Sequence, residues 1–93
     1  MLTATIQLGN TDDKLTQVEW AAFVLMMKTK ILENCVQVHF FGGSCNWERW
    51  QNVCWIVELR EDQLENLKAA VKDARETFRQ DSVAFMAAYI NFL

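Results

Sequence analysis

The order in which two hydrophobic periods follow one another along the chain is the strongest constraint on its fold. Apolar and polar side chains alternate over residues 3–8, 36–41 and 53–59, the period-of-two pattern of a half-buried strand. In the second run, Val36, Val38 and Phe40 are predicted to share one face, with Gln37, His39 and Phe41 on the other. The chain therefore contains at least three predicted strands.

One helical pattern lies between the first and second strands, and another follows the third strand. Thr16 and Glu19 form a capping box, in which each side chain accepts a hydrogen bond from the other residue's free backbone N–H, so a helix is predicted over residues 17–33. Asp62 and Glu65 have the same spacing and predict the start of a second helix. Its apolar stripe recurs at helical intervals and comprises Leu64, Leu67, Val71, Ala74 and Phe78.

The last segment, residues 82–93, mixes helix-favouring and strand-favouring residues. We predict a strand, because the preceding order β-α-β-β-α lacks only a final strand to become the ferredoxin-like split βαβ arrangement. The predicted fold is α+β: a four-stranded antiparallel sheet with two helices on one face. With 93 residues, 52% of them hydrophobic, residues 1–93 are expected to form a single domain.

This topology gathers three loops at one end of the sheet: the loop after the first strand, the loop between the second and third, and the loop before the last. The middle loop carries Trp47, Arg49 and Trp50 in a Gly-Gly-Ser-Cys-Asn context that has no apolar face to bury them. Either the tryptophans cap the core or they contact a ligand or partner, as Trp and Arg often do. The predicted binding residues are Trp47, Arg49, Trp50, Asn52, Asn10, Asp12, Asp81 and Ser82.

Two surfaces are more apolar than a monomer needs. Residues 20–27 of the first helix are apolar all round, and the sheet face away from the helices is also rich in apolar side chains. Large exposed apolar patches usually mark partners, so a homo-oligomer, most simply a dimer, is predicted. The candidate interface residues are Leu25, Met26, His39, Phe41, Ile56 and Met86.

The sequence supplies little for catalysis. It contains no phosphate-loop, dinucleotide, zinc-protease or nucleophile-elbow motif, and its three cysteines lack zinc-ligand spacing, so no metal, cofactor or catalytic residue is predicted.

An alternative is a small dimeric enzyme with a pocket between helices and sheet, using His39 or Cys45. A second alternative is RNA stacking on Phe41 at the open sheet face. The net charge of −3, without a basic stripe, argues against nucleic acid.

A membrane location is not expected. The N-terminal residues show no basic region followed by an apolar run, and the apolar stretches 20–27 and 83–90 are shorter than the ~20 residues of a membrane helix. Three cysteines, an odd number, fit reduced thiols. We therefore expect a cytoplasmic protein.

Three runs of the sequence resemble small uncharacterised proteins encoded by bacteriophages. They are IQLGNTDDKLT at 6–16, WQNVCW at 50–55 and QDSVA at 80–84. The resemblance implies a protein of the host cytoplasm that binds a host protein or sequesters a small molecule, including signals used in host defence. It implies no catalytic residues. All three runs supply residues to the predicted common end of the sheet.

Overall fold

The computed structural model describes residues 1–10, 14–44 and 51–93. The elements are β1 (Leu2–Gly9), α1 (Gln17–Glu33), β2 (Gln37–Gly43), β3 (Asn52–Leu59), α2 (Leu64–Thr77) and β4 (Ala84–Ala88), with a 3₁₀ turn at Glu61–Gln63 directly before α2. Their order confirms the predicted β-α-β-β-α-β fold.

The four strands form one sheet in the order β2-β3-β1-β4, and all neighbouring strands are antiparallel. The first strand lies in the middle, where Thr5 pairs with Ile56 of β3 on one side and with Met86 of β4 on the other. The predicted last strand is confirmed but is shorter than the segment 82–93. The strands β2 and β4 are the two edges of the sheet.

The core lies between one face of the sheet and the two helices. Inward-facing residues of β1 and β3 pack against the buried stripe of α1 and the buried stripe of α2. Lys30 of α1 and Asp73 of α2 form an ion pair at 2.7 Å where the helices meet. The largest fully buried side chains are Trp55, Phe23, Ile6, Leu8, Met27, Ile31, Leu59 and Leu67.

The start of α1 has the predicted cap. The Glu19 backbone N–H donates to Thr16 Oγ1 at 3.2 Å, and the Thr16 backbone N–H donates to Glu19 Oε1 at 3.0 Å. Leu15 and Trp20, on either side of the cap, are both buried. This hydrophobic staple fixes the direction in which the chain enters the helix.

The start of α2 differs from the prediction. Asp62 and Glu65 do not form its cap; the Gln63 side chain reaches back instead, and its Oε1 accepts a hydrogen bond from the Arg60 backbone N–H at 2.9 Å. Asp62 accepts from the Arg60 Nε at 3.0 Å. The 3₁₀ turn, which is tighter than an α-helical turn, occupies Glu61–Gln63, so the α-helix begins at Leu64, two residues after Asp62.

The predicted faces of β2 are wrong beyond residue 38, because the strand contains a β-bulge. Val38 pairs with Val57, but Phe40 pairs with Ile56 and Phe41 with Trp55, so His39 is an extra residue. One extra residue exchanges the two faces of a strand. Phe41 therefore lies on the helix side, with its ring centroid 5.0 Å from that of Trp55, and Phe40 lies on the open face.

Candidate binding site at one end of the sheet

Polar contacts join the three loops that the topology gathers at one end. The Lys14 ammonium, between β1 and α1, lies 3.1 Å from Asp81 Oδ2, between α2 and β4. The Asn10 backbone N–H, after β1, donates to the Gln51 carbonyl at 2.9 Å, directly before β3. The described residues of these loops thus meet where the sequence predicted.

Asn10 organises this end and does not offer itself to a ligand. Its side chain is 0% exposed. Its Nδ2 donates to the Leu15 carbonyl at 3.1 Å and to Gln51 Oε1 at 3.3 Å, while its Oδ1 accepts from the Leu15 N–H at 3.1 Å. The predicted ligand contact by Asn10 is therefore corrected to a structural role, since its amide is buried and both its nitrogen and its oxygen already have partners within the fold.

Gln51 is the organising residue that the sequence analysis missed. Only 2% of its surface is exposed, and its amide exchanges two hydrogen bonds with the Gln17 amide, at 2.8 and 2.9 Å. Gln51 thereby connects the start of β3 to the first turn of α1, and it also contacts Asn10. One signal was present: Gln51 continues the inward parity of Val53, Trp55 and Val57, which predicts that its side chain points into the fold.

The base of the β2–β3 loop is closed by two hydrogen bonds between Ser44 and Asn52, one of them to the serine hydroxyl. The Ser44 N–H donates to the Asn52 carbonyl at 2.9 Å, and the Asn52 N–H donates to Ser44 Oγ at 2.9 Å. Gly43 is required here because an added Cβ would lie 2.0 Å from the Asn52 oxygen. Gly42 and Gly43 are the last residues of β2, whereas the sequence pattern placed them in the loop.

Several predicted site residues lie outside the described residues: Asp12 in the β1–α1 loop, and Cys45, Trp47, Arg49 and Trp50 in the β2–β3 loop. Their predicted roles stay predictions.

A polar cleft of about 390 Å³ lies beside the closed hairpin, and the predicted residues Asn52, Asp81 and Ser82 line it. Asp81 is held by Lys14, so the cleft offers amides, a hydroxyl and backbone groups for hydrogen bonding. The described lining is Gln7, Leu8, Gly9, Asn52, Gln80, Asp81, Ser82 and Ala84. This set suits recognition of a polar group.

The predicted interface residues do not form one patch. His39, Ile56 and Met86 belong to the open face of the sheet. Leu25 and Phe41 instead line an apolar groove of about 430 Å³ between α1 and the edge strand β2. Met26 is partly buried and packs against the core. The candidate oligomer surfaces are therefore two: Phe41 lies on the groove instead of the open face, and Met26 packs partly against the core.

The described residues add little to the two alternative functions. His39 Nε2 lies 3.9 Å from Glu58 Oε2 at the surface, and burial raises the pKa of the Cys35 and Cys54 thiols, the wrong direction for a nucleophile. No group of three or more potential metal ligands occurs among the described residues. For the RNA alternative, Phe41 lies on the helix side, and Phe40 takes its place on the open face.

Within residues 1–10, 14–44 and 51–93, no helix has both the length and the apolar character to span a bilayer. No protein-family model matches the chain, and no curated protein matches it in sequence.

Proposed function

We propose that this chain is a non-catalytic binding protein. It contacts a host protein or sequesters a small ligand through the β2–β3 loop, with Trp47, Arg49 and Trp50, and through the neighbouring loops. The observation that supports this proposal is the buried network of Asn10, Gln51 and Leu15 beneath the loops. Such a network gives the loops a fixed base.

The energetics of that network favour a rigid site. A buried amide without partners is destabilising by about 1–3 kcal/mol, so the Asn10 and Gln51 side chains stabilise the fold only while their partners stay in place. No buried side-chain nitrogen or oxygen atom of the described residues lacks a hydrogen-bond partner. Loops held by a rigid base lose less entropy on binding. Trp and Arg are among the side chains that most often supply binding energy at interfaces.

The biological setting is part of the same proposal. The resemblance of the runs at 6–16, 50–55 and 80–84 to bacteriophage proteins supports a role in the host cytoplasm. All three runs contain described residues that connect the loops at this end: Asn10 and Leu15 in the first, Gln51 in the second and Asp81 in the third.

The test is capture from bacterial lysate by wild type and by the Trp47→Ala/Trp50→Ala double variant, followed by mass spectrometry of bound proteins and small molecules. We expect at least one component to be retained by wild type and lost by the variant. A matched control is Tyr89→Ala/Phe92→Ala, which removes two exposed aromatic side chains from the C-terminal segment. This control should retain the component.

Two results would contradict the proposal. If the loop variant is folded by circular dichroism and still retains every component, the tryptophans do not bind. If the loop variant unfolds, Trp47 and Trp50 are part of the core.

We also propose self-association. Leu25, at 63% exposed, and Met86, at 65%, are large apolar side chains on the α1–β2 groove and on the open face. Burying either surface against a second copy would remove apolar area from water, which favours a dimer.

A further inference from the structure

A second groove, between α2 and the edge strand β4, combines an apolar floor with a positively charged rim. Its volume is about 410 Å³. Val71, Val83 and Phe85 form the floor, and Lys68, Lys72 and Arg75 form the rim. A groove with a few convergent charges over an apolar floor is the usual form of a small-molecule site, and such sites span ~300–1,000 Å³.

The sequence builds this groove by helical spacing. Lys68, Lys72 and Arg75 are separated by four and three residues, so they share one side of α2, next to the buried stripe of Leu67, Val71 and Ala74. The helix covers the inner face of β4 incompletely, because β4 is the edge strand. Val83 and Phe85 therefore stay only partly buried.

The rim charges are weakly neutralised by the rest of the fold. Lys68 has an ion pair with Glu65 at 3.6 Å on the helix surface, a kind of pair worth little. Arg75 lies 3.4 Å from Glu76 and donates from Nη1 to the Gln80 and Asp81 carbonyls. Lys72 forms no ion pair with any described residue.

Among the described lining residues of the groove, Asp81 is the only carboxylate, and Lys14 engages it at 3.1 Å. The rim therefore has an excess of positive charge, although the chain carries −3 overall. Three of its nine Lys and Arg residues converge on this one groove.

We propose that this groove binds a small aromatic phosphate monoester, with the phosphate between Lys68, Lys72 and Arg75 and the ring on Val83 and Phe85. A phosphate monoester carries about −1.5 to −2 at neutral pH, which matches several cations better than a single carboxylate does. This site goes beyond the proposed function: its described lining shares Asp81 and Ser82 with the polar cleft but includes no described residue of the β2–β3 loop.

The probe is 1-naphthyl phosphate, titrated into the ¹⁵N-labelled protein and followed by amide chemical shifts. Saturable shifts are expected at residues 68–75 and 82–85. Inorganic phosphate, 1-naphthol and 1-naphthoate are the comparison ligands. Each should bind more weakly: inorganic phosphate lacks the aromatic ring, 1-naphthol lacks a charge, and 1-naphthoate lacks the second negative charge.

The decisive variant is Lys68→Ala/Lys72→Ala, which should lower the affinity for 1-naphthyl phosphate by about tenfold or more, as expected for the loss of charge-assisted contacts. The control Lys28→Ala/Arg60→Ala removes the same charge outside the groove and should bind like wild type. Circular dichroism and the thermal midpoint verify that both variants fold.

Three results would overturn the proposal: no saturable binding of 1-naphthyl phosphate by wild type at millimolar concentration, equal affinity in the two double variants, or shifts centred on residues 51–52 instead of the groove. The lysate capture with Trp47→Ala/Trp50→Ala tests the β2–β3 loop separately, so either conclusion can fail without the other.

Discussion

At the residue scale, the clearest correspondence between sequence and structure is the cap of α1. A capping box requires its two residues to be three positions apart, as Thr16 and Glu19 are, and the structure has both of its hydrogen bonds. Local interactions of this kind depend on a few adjacent residues, so the sequence alone predicts them. The same is true of the first residue of α1, Gln17.

Acid should weaken this cap. Hydrogen bonds from the Thr16 backbone N–H and the Thr16 hydroxyl, aided by the charge of Arg79, hold the Glu19 pKa below its ordinary value of 4.5. A lowered pKa contributes stability in full above pH 4.5, and the contribution is lost as the pH falls through the lowered value. Glu19→Gln keeps an acceptor but does not titrate, so the advantage of wild type in thermal midpoint should shrink between about pH 6 and about pH 3.

Thermal melts of the two proteins by circular dichroism check this. Glu33→Gln, at the other end of α1, controls for the change in net charge. A wild-type advantage that stays constant over the whole range would contradict the assignment.

At the scale of single elements, the bulge in β2 shows what periodicity cannot reveal. Phe40 and Phe41 are identical neighbours, so no sequence pattern distinguishes which ring faces the helices. The extra residue at His39 decides it, and this choice depends on pairing with β3. Likewise, the Gln63 side chain accepts a hydrogen bond from the Arg60 N–H and closes the start of the 3₁₀ turn before α2, although Asp62 and Glu65 have the standard capping spacing.

The two adjacent glycines of β2 should respond very differently to substitution. In Gly43→Ala the new Cβ would meet the backbone of the opposite strand, 2.0 Å from the Asn52 oxygen and 2.8 Å from the Val53 Cα. The hairpin would have to open, at a cost of about 1–3 kcal/mol. In Gly42→Ala the nearest atom, at 2.8 Å, is the tip of the Phe40 ring, which can turn away.

Urea denaturation of both variants measures the difference, and Gly42→Ala serves as the matched control. Equal losses of stability would show that the hairpin does not need the close approach at Gly43.

At the scale of the whole molecule, the topology was predictable because strands and helices differ in hydrophobic periodicity. The order β-α-β-β-α then lacked only a final strand to form the split βαβ arrangement. The meeting of the three loops followed from the topology. The buried network did not: Asn10 is polar and lies in a loop, so its sequence context suggests exposure, and only the contacts with Leu15 and Gln51 explain its burial.

Self-association is also a property of the whole molecule. We expect size-exclusion chromatography with light scattering to give twice the chain mass for wild type. One of the two variants, Leu25→Lys or Met86→Lys, should give the single-chain mass. A lysine at the centre of an apolar interface would be buried without a partner, which is strongly unfavourable. The variant that dissociates identifies the surface, on the α1–β2 groove or on the open face.

Asn66→Lys, exposed on α2, is the control and should keep the wild-type mass. A wild-type monomer at high protein concentration, or a dimer unaffected by both substitutions, would rule out these surfaces.

The central position of β1 has a consequence for synthesis on the ribosome. Both neighbours of β1 are made later, and the pairing of Ile6 with Phe85 must wait for the last strand. Until then, one edge of β1 and part of the apolar inner face remain open, the features that promote aggregation of nascent chains. Fragments that end before Ala84–Ala88 should therefore retain an unpaired central strand, and folding of the sheet is completed only after translation has passed this segment.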